Sequence, residues 1–222
     1  MNPSSNLTQN RNDLSPYLFH FTKGEKAFET LLMIFQELML KSKTHEYICL
    51  TETPITQFIE NLIYMNRYNN PMFSMYGIGF NRDLLISKYG ARPVIYGNNE
   101  DLDKLKKIDM DWRFELLNID YHDFTWLREW RIRNEFDFSK ISPNDIIIIA
   151  KTKDELEQIC AVHELEDLDF EYEPEIGECT IYPIYSVIRG WKGISIDDLM
   201  TYKSDKEVYK KALSQKIGEY LL

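Results

Sequence analysis

The sequence predicts an α+β fold, and three observations support this prediction. The chain has 222 residues, of which 44% are hydrophobic, as expected for a folded globular protein. About seven short segments have strand-like patterns, and about six segments carry apolar residues at three- and four-residue spacing. The two kinds of segment do not alternate strictly, which favours α+β over a doubly wound parallel sheet.

The predicted strands are short. They are rich in aromatic or β-branched residues, or they alternate apolar with polar side chains. They cover residues 17–22, 47–50, 76–80, 93–96, 130–136, 145–150 and 180–187, the last of these being the final strand of the chain.

Capping residues predict where the helices begin. Thr22 with Glu25, and Thr152 with Glu155, fit the capping box, in which a hydroxyl and a carboxylate bond to each other's backbone amides. Further helices are predicted after Thr53-Pro54, over residues 82–89 after Asn81, over most of residues 101–127, and after Ser204. In the first helix, of about 15 residues, a buried stripe is predicted at Phe28, Leu31, Leu32, Phe35 and Leu38.

Composition divides the chain into a leader and a folded part. Residues 1–13 are rich in Asn, Ser and Thr, and we expect them to be a disordered leader. Residues 14–222 are predicted to form a single α+β domain. Its candidate motifs lie in residues 14–135, and residues 136–222 add a C-terminal part of strands and helices.

The charge balance argues against several functions. With 26 Lys and Arg against 36 Asp and Glu, the net charge is −10, so any contact with nucleic acid must be local. No apolar run approaches the ~20 residues of a membrane span, and the N-terminus lacks the apolar region of a signal peptide. The three cysteines have no metal-like spacing, which indicates reduced thiols. We therefore expect a cytoplasmic protein that does not contact a membrane.

An acidic run occupies residues 164–178, where eight of fifteen residues are Asp or Glu. Phe170, Tyr172 and Ile176 are interleaved with the acids. One interpretation is a solvated connection or edge hairpin. The other is a docking surface for a basic partner.

The first candidate site is His20 with Thr22, at the end of the first predicted strand. Strand alternation places both side chains on one face, with Phe19 and Phe21 on the other. An imidazole and a hydroxyl beside the amides of a helix start can bind a polar or anionic ligand. The alternative is that Thr22 only caps the helix and His20 is an edge residue.

The second candidate site is a predicted strand in which Glu129, Arg131 and Arg133 share one face. A carboxylate among arginines stays ionised, because nearby positive charge favours the charged form. Such a group can stabilise a developing cation or orient a sugar hydroxyl. The alternative is a cross-strand ladder of ion pairs.

A pair of glycines marks a third stretch. Gly77 and Gly79 lie two residues apart on a predicted strand, so one face of that strand is bare. A bare face suits the close approach of another backbone or of a flat ligand. Simple packing within the fold is the alternative.

The order of these motifs resembles the AbiGi-type abortive-infection proteins of bacterial phage defence and, more distantly, the DarT-like ADP-ribosyltransferases. The resemblance covers roughly residues 14–135 and is carried by the following segments: Leu18-Phe19-His20-Phe21-Thr22, Leu50-Thr51-Glu52-Thr53-Pro54-Ile55, Tyr76-Gly77-Ile78-Gly79-Phe80, Arg92-Pro93-Val94-Ile95-Tyr96 and Arg128-Glu129-Trp130-Arg131. It implies a split, mostly antiparallel sheet with flanking helices that grips NAD in a cleft.

The resemblance also implies roles for individual residues. His20 and Thr22 would hold the nicotinamide ribose, and Glu129 would act at the anomeric carbon. Arg131 or Arg133 is a candidate to pair with the pyrophosphate. The tyrosines that are candidates to stack on nicotinamide or adenine are Tyr64, Tyr68 and Tyr76.

Three functional hypotheses follow. The first is an NAD-dependent ADP-ribosyltransferase of a phage-defence or toxin–antitoxin system, with NAD as co-substrate and a nucleic-acid or protein acceptor at the cleft. The second is a non-catalytic antitoxin or binding subunit of the same fold that neutralises a partner toxin. The third is a nuclease-like or other ligand-binding module, in which the Arg/Glu strand is a structural ladder.

Overall fold

The computed structural model describes residues 13–42, 46–65, 67, 71–118, 123–160, 164–186 and 190–214. Its strands are β1 (Tyr17–Phe21), β2 (Met39–Leu40), β3 (Tyr47–Thr51), β4 (Gly77–Asn81), β5 (Arg92–Pro93), β6 (Ile95–Gly97), β7 (Phe114–Leu116), β8 (Glu129–Arg133), β9 (Phe136–Asp137), β10 (Ile146–Ala150), β11 (Glu164–Glu173), β12 (Glu178–Ser186) and β13 (Gly193–Ser195). Its helices are α1 (Ala27–Glu37), α2 (Ile55–Met65), α3 (Arg82–Lys88), α4 (Asn99–Lys106), α5 (Lys153–Cys160), α6 (Ile196–Leu199) and α7 (Asp205–Ser214).

One seven-stranded sheet organises these elements, in the order β13-β10-β4-β1-β3-β8-β5. Every neighbouring pair is antiparallel except β10 with β13. Strands from residues 14–135 and from residues 136–222 therefore hydrogen-bond within the same sheet. The predicted α+β class with a mostly antiparallel sheet is confirmed.

Strand alternation gives the sheet two apolar faces, and each face is covered by helices. On one face, Leu18 of β1 and Ile148 of β10 pack with Leu31 and Phe35 of α1. The opposite face is formed by side chains of the same strands that alternate with these: Phe19, Phe21, Ile147 and Ile149. Helices α2 and α7 cover this face with Phe58, Leu62, Val208 and Ala212. The strand β10 is buried along its whole length because both of its faces are covered.

The glycine pair of β4 serves packing within the fold. Phe19 lies opposite Gly79 and Phe21 lies opposite Gly77 in the β1–β4 ladder. A Cβ atom added at Gly77 would lie 2.7 Å from Cδ1 of Phe21, and one at Gly79 would clash with the Phe19 ring. The bare face therefore accommodates two aromatic rings of the neighbouring strand.

Of the two predicted capping boxes, one is confirmed and one is wrong. Thr152 and Glu155 bond to each other's amides at 2.9 and 3.2 Å and start α5. Helix α1 instead begins at Ala27, and its N-cap residue Lys26 makes no side-chain cap bond. The Thr22 hydroxyl donates to the Ala27 carbonyl at 2.9 Å and lies 3.0 Å from Ser74 Oγ, so it does not cap the helix amides.

The boundaries of α1 also differ from the prediction. The helix has 11 residues, and it ends before Leu38, which adopts a left-handed conformation with φ 54°. Leu31 and Phe35 are buried as expected, and Ile34 is buried with them. Phe28, Leu32 and Leu38 are partly buried at the edge of that core.

The helix predicted over most of residues 101–127 is confirmed over residues 101–106, within α4, and is wrong for the described residues beyond the end of that helix. Helix α4 ends at Lys106, and Asp109 then has a φ of 55° that reverses the chain. A short 3₁₀ turn leads into β7, which pairs in parallel with β6. The Arg131 guanidinium donates to the Trp112 and Phe114 carbonyls, and such distant bonds override local helix preference.

The end of the chain differs as well. The segment expected to be the last strand, residues 180–187, corresponds to β12 as far as Ser186, and β12 pairs with β11 in a separate two-stranded sheet. The last strand is β13, whose three residues are too few to give a periodic pattern. Among the described residues, no helix has both the length and the apolar character needed to cross a membrane.

Candidate functional site

A cavity of about 680 Å³ lies where β1 and β3 separate. In the described residues these strands form one ladder position, Phe19 opposite Thr51, and the ladder does not continue to Phe21 and Cys49. The Cys49 carbonyl instead accepts a hydrogen bond from His20 Nδ1 at 2.9 Å. The cavity has a volume typical of small-molecule sites.

His20 lines the cavity as a neutral imidazole. Burial lowers its pKa below the usual 6.5, and the positive charge of Lys23 acts in the same direction, while the bond to Cys49 opposes them. Because a carbonyl oxygen only accepts, Nδ1 carries the proton and Nε2 is left with a lone pair. His20 can therefore accept a hydrogen bond from a ligand hydroxyl.

Thr22 lines the same cavity but lies just beyond the end of β1. It is buried, and its hydroxyl is 3.0 Å from Ser74 Oγ in addition to its bond with Ala27. These bonds fix the chain between β1 and α1. Thr22 therefore shapes the cavity wall next to His20.

Glu129 is the carboxylate of the cavity wall. Its Oε1 accepts a hydrogen bond from Arg131 Nε at 2.8 Å, and its side chain is 10% exposed. It lies opposite Thr51 in the β3–β8 ladder, at the position where β1 and β3 last pair. The carboxylate is thus held beside the point where the sheet splits.

Arg131 holds Glu129 in place. It also donates to Glu115 Oε2 at 2.6 Å, and its guanidinium lies 4.0 Å from the centre of the Tyr47 ring. Its side chain is 3% exposed, and each of its three nitrogens makes at least one bond. Arg131 therefore orients the carboxylate and is committed to protein partners.

Cys49 adds a thiol beside Glu129. The side chain is exposed to the cavity, yet protein surrounds it on most sides. Burial and the negative charge of Glu129 raise the pKa of the thiol to about 12. Cys49 is therefore protonated at neutral pH and is not a thiolate nucleophile.

The cavity joins residues from opposite faces of the sheet. Phe19, Thr51 and Glu129 are aligned across three strands, so their side chains point to one face. His20 follows Phe19 and points to the other face, beside α1. The two candidate sites of the sequence meet only because β1 and β3 separate between them.

Three other predicted contacts, Tyr64, Tyr76 and Arg133, are not among the cavity-lining residues. Tyr64 is an exposed residue of α2, near Arg67. Tyr76 donates its hydroxyl to Glu155 at 2.7 Å and packs on Phe28. Arg133 is paired with Asp109 on the exposed surface at 2.7 Å. Tyr68 lies outside the described residues.

Several lining residues were missed by the sequence analysis. Cys49 and Glu115 contribute polar groups, and Phe73 and Phe124 contribute aromatic rings. Cys49 lies opposite Arg131 in the β3–β8 ladder, so pairing the two predicted strands would have identified it. The sequence holds no comparable signal for Glu115, because β7 lies in a segment that reads as helical.

Comparison of the chain with protein-family models, curated proteins and solved structures found no match.

Proposed function

We propose that this chain is an NAD-dependent ADP-ribosyltransferase-like protein of a bacterial phage-defence or toxin–antitoxin system that acts in the cytoplasm. The observation that carries the proposal is the position of Glu129. It is an oriented carboxylate in the wall of a ligand-sized cavity between two diverging strands, with His20 across the split. A split sheet with these residues at the cleft is what the resemblance to ADP-ribosyltransferases implies.

The main requirement of this reaction is that the protein places a negative charge beside the ribose. When the nicotinamide–ribose bond breaks, nicotinamide leaves with the electron pair and positive charge develops on the ribose. An acceptor nucleophile then bonds to the anomeric carbon and loses its proton. Glu129 would stabilise the developing charge, and a preorganised contact of this kind lowers a barrier by about 3–4 kcal/mol.

The remaining groups fit binding roles. His20 Nε2 would accept a hydrogen bond from a ribose hydroxyl, since its other nitrogen is bonded to Cys49. Phe73 and Phe124 would contact a planar ring. Lys23, beside His20 at the cavity, would supply positive charge toward a phosphate in place of the two arginines expected from the sequence.

A specific observation favours the second candidate, a non-catalytic antitoxin or binding subunit. Arg131 is the one arginine among the described residues that line the cavity, and its bonds are made to protein. Arg133 lies elsewhere. In this arrangement, neither arginine is positioned to bind the pyrophosphate of NAD.

The deciding experiment incubates the purified protein with labelled NAD and a panel of RNA, DNA and protein acceptors. We expect label to be transferred by the native protein and not by Glu129→Gln, which is nearly isosteric but uncharged. Glu52→Gln is the matched control, because it also removes a buried carboxylate partner of an arginine but Glu52 does not line the cavity. Equal loss in both variants would assign Glu129 to the ion-pair ladder. Absence of NAD binding by a folded native protein would favour the binding subunit.

A further inference from the structure

The hairpin of β11 and β12 carries acidic side chains on one face and apolar side chains on the other. Phe170 and Tyr172 alternate with acids on β11, and they lie opposite Ile181 and Cys179 on β12. Residues directly opposite in a ladder share one face. Phe170, Tyr172, Cys179 and Ile181 therefore form one face of the hairpin, which we call the apolar hairpin face.

The acids occupy the other face. Asp169, Glu171 and Glu173 alternate with the apolar residues of β11, and Glu178 lies opposite Glu173 on β12. These four residues, together with Thr180 opposite Glu171, form the acidic hairpin face. The interleaved pattern seen in the sequence is thus resolved into two surfaces of different chemistry.

The apolar hairpin face lies open to solvent. Phe170 is 71% exposed, Tyr172 is 58% exposed and Ile181 is 62% exposed. The hairpin is also a sheet of only two strands, and a two-stranded hairpin without a packed face is marginally stable in water. Both facts indicate that this face is covered when the protein functions.

We infer that the apolar hairpin face binds the same face of a second copy of this chain. A basic partner attracted by the carboxylates would settle on the acidic hairpin face and leave Phe170 and Tyr172 in water. A second copy instead covers the apolar residues and keeps the acids outside. The separation of the two faces therefore favours self-association over capture of a basic protein.

The dimensions are compatible with such a dimer. Covering the exposed side chains removes roughly 500 Å² per copy, or roughly 1,000 Å² for the pair, which is the lower limit of specific interfaces. Stacked sheets lie about 10 Å apart, so the two acidic faces are separated by more than the ~8 Å Debye length at physiological salt. We therefore expect a weak, reversible dimer that repulsion does not prevent.

The test is sedimentation velocity of the full chain across a range of concentrations. The native protein is expected to form dimers as its concentration rises. Phe170→Ser/Ile181→Ser, which removes apolar surface without changing charge, is expected to raise the dissociation constant at least about tenfold. The matched control, Asp169→Ser/Glu171→Ser, alters two residues of the acidic face and should dimerise as well as the native chain.

Salt and a basic probe separate the alternatives. Raising ionic strength is expected to leave the dimer intact or to tighten it, because salt screens repulsion between acids. A native protein that stays monomeric would overturn the inference, as would a dimer that Phe170→Ser/Ile181→Ser leaves unchanged. So would a monomer that binds a lysine homopeptide through Asp169 and Glu171. None of these outcomes depends on whether NAD is bound.

Discussion

Two buried carboxylates, Glu52 and Glu129, are each paired with an arginine, yet only one lines the cavity. Glu52 Oε1 accepts from Arg82 at 2.7 Å and Oε2 accepts from Trp130 Nε1 at 2.9 Å, so both oxygens are bonded. Glu129 accepts from Arg131 Nε at 2.8 Å and interacts with the Cys49 thiol, and it lines the cavity. Glu52 is not among the cavity-lining residues.

Burial and ion pairing alone do not distinguish the functions of Glu52 and Glu129. The two side chains are similarly covered, at 9% and 10% exposure. Glu52 joins β8 to α3 through two short bonds, which is a structural role. Glu129 lies beside a space that a ligand can fill. Access to the cavity is therefore what distinguishes a candidate catalytic carboxylate from a structural one.

The largest expected effect tests this comparison directly. Glu129→Gln should reduce ADP-ribosyl transfer by roughly 10²–10³-fold, because a preorganised charge contact is lost. Glu52→Gln should leave the rate per folded molecule nearly unchanged, because Glu52 does not reach the cavity. Transfer to the best acceptor would be measured with labelled NAD under single-turnover conditions. Similar losses in both variants would remove the distinction between the two carboxylates.

Glu52 is expected to contribute to the stability of the protein, although it does not contribute to the rate of transfer. Glu52→Ala removes the shorter of the two ion pairs of Arg82, which keeps Asp83, and leaves the Trp130 N–H without its partner, so we expect the free energy of unfolding to fall by about 2 kcal/mol. Urea denaturation measures this change. Arg133→Ala, which breaks an exposed pair with Asp109, is the control and should not shift the midpoint. A Glu52→Ala midpoint equal to that of the control would contradict the structural role.

Binding of NAD tests the role of His20, which lies on the cavity wall opposite Glu129. NAD at about 100 times its dissociation constant should stabilise the native protein by about 2.7 kcal/mol, measured as a thermal shift. His20→Ala should reduce that shift, since it removes the Nε2 acceptor. Tyr64→Ala should not, because Tyr64 does not line the cavity. If both variants kept the full shift, His20 would have no part in binding NAD.

The smallest expected effect is a pH dependence of stability. The pKa of His20 is lowered in the folded state, so the folded chain binds fewer protons than the unfolded chain near pH 6.5. Stability from His20 is present above that pH and is lost as the pH falls through the lowered value. The difference in unfolding free energy between the native protein and His20→Gln should therefore shrink from about pH 7.5 to pH 5.5. A constant difference would show that His20 is not held neutral.

Much of the local structure could be predicted from the sequence. The isoleucine run predicts β10, the Thr152–Glu155 pair predicts the start of α5, and Asn81 caps α3 by accepting from the Leu84 amide at 3.1 Å. Each of these signals acts over a few residues, so neighbouring side chains suffice to specify it. His20 and Glu129 were also identified, because each lies on a strand with a clear pattern.

The cavity itself depends on contacts between distant parts of the chain. The Thr22 hydroxyl bonds to Ser74, 52 residues away, rather than capping its own helix. Arg131 draws residues 112–115 against β8 and replaces a predicted helix with β7. Local patterns contain no information about these partners, since the same side chains can form local or distant bonds of similar energy.

The sequence by itself determined five strands of the large sheet (β1, β3, β4, β8 and β10), most helices, and the order in which the candidate residues occur. Only the tertiary structure decided that β1 and β3 separate after Phe19 and Thr51, and that His20 and Glu129 face one cavity from opposite sides of the sheet. It also decided that Asp205 caps α2 by accepting from the Ile55 amide, 150 residues away. The physical reason is range: propensity and periodicity act within a few turns, whereas a site is formed by bonds whose partners meet only after the chain has folded.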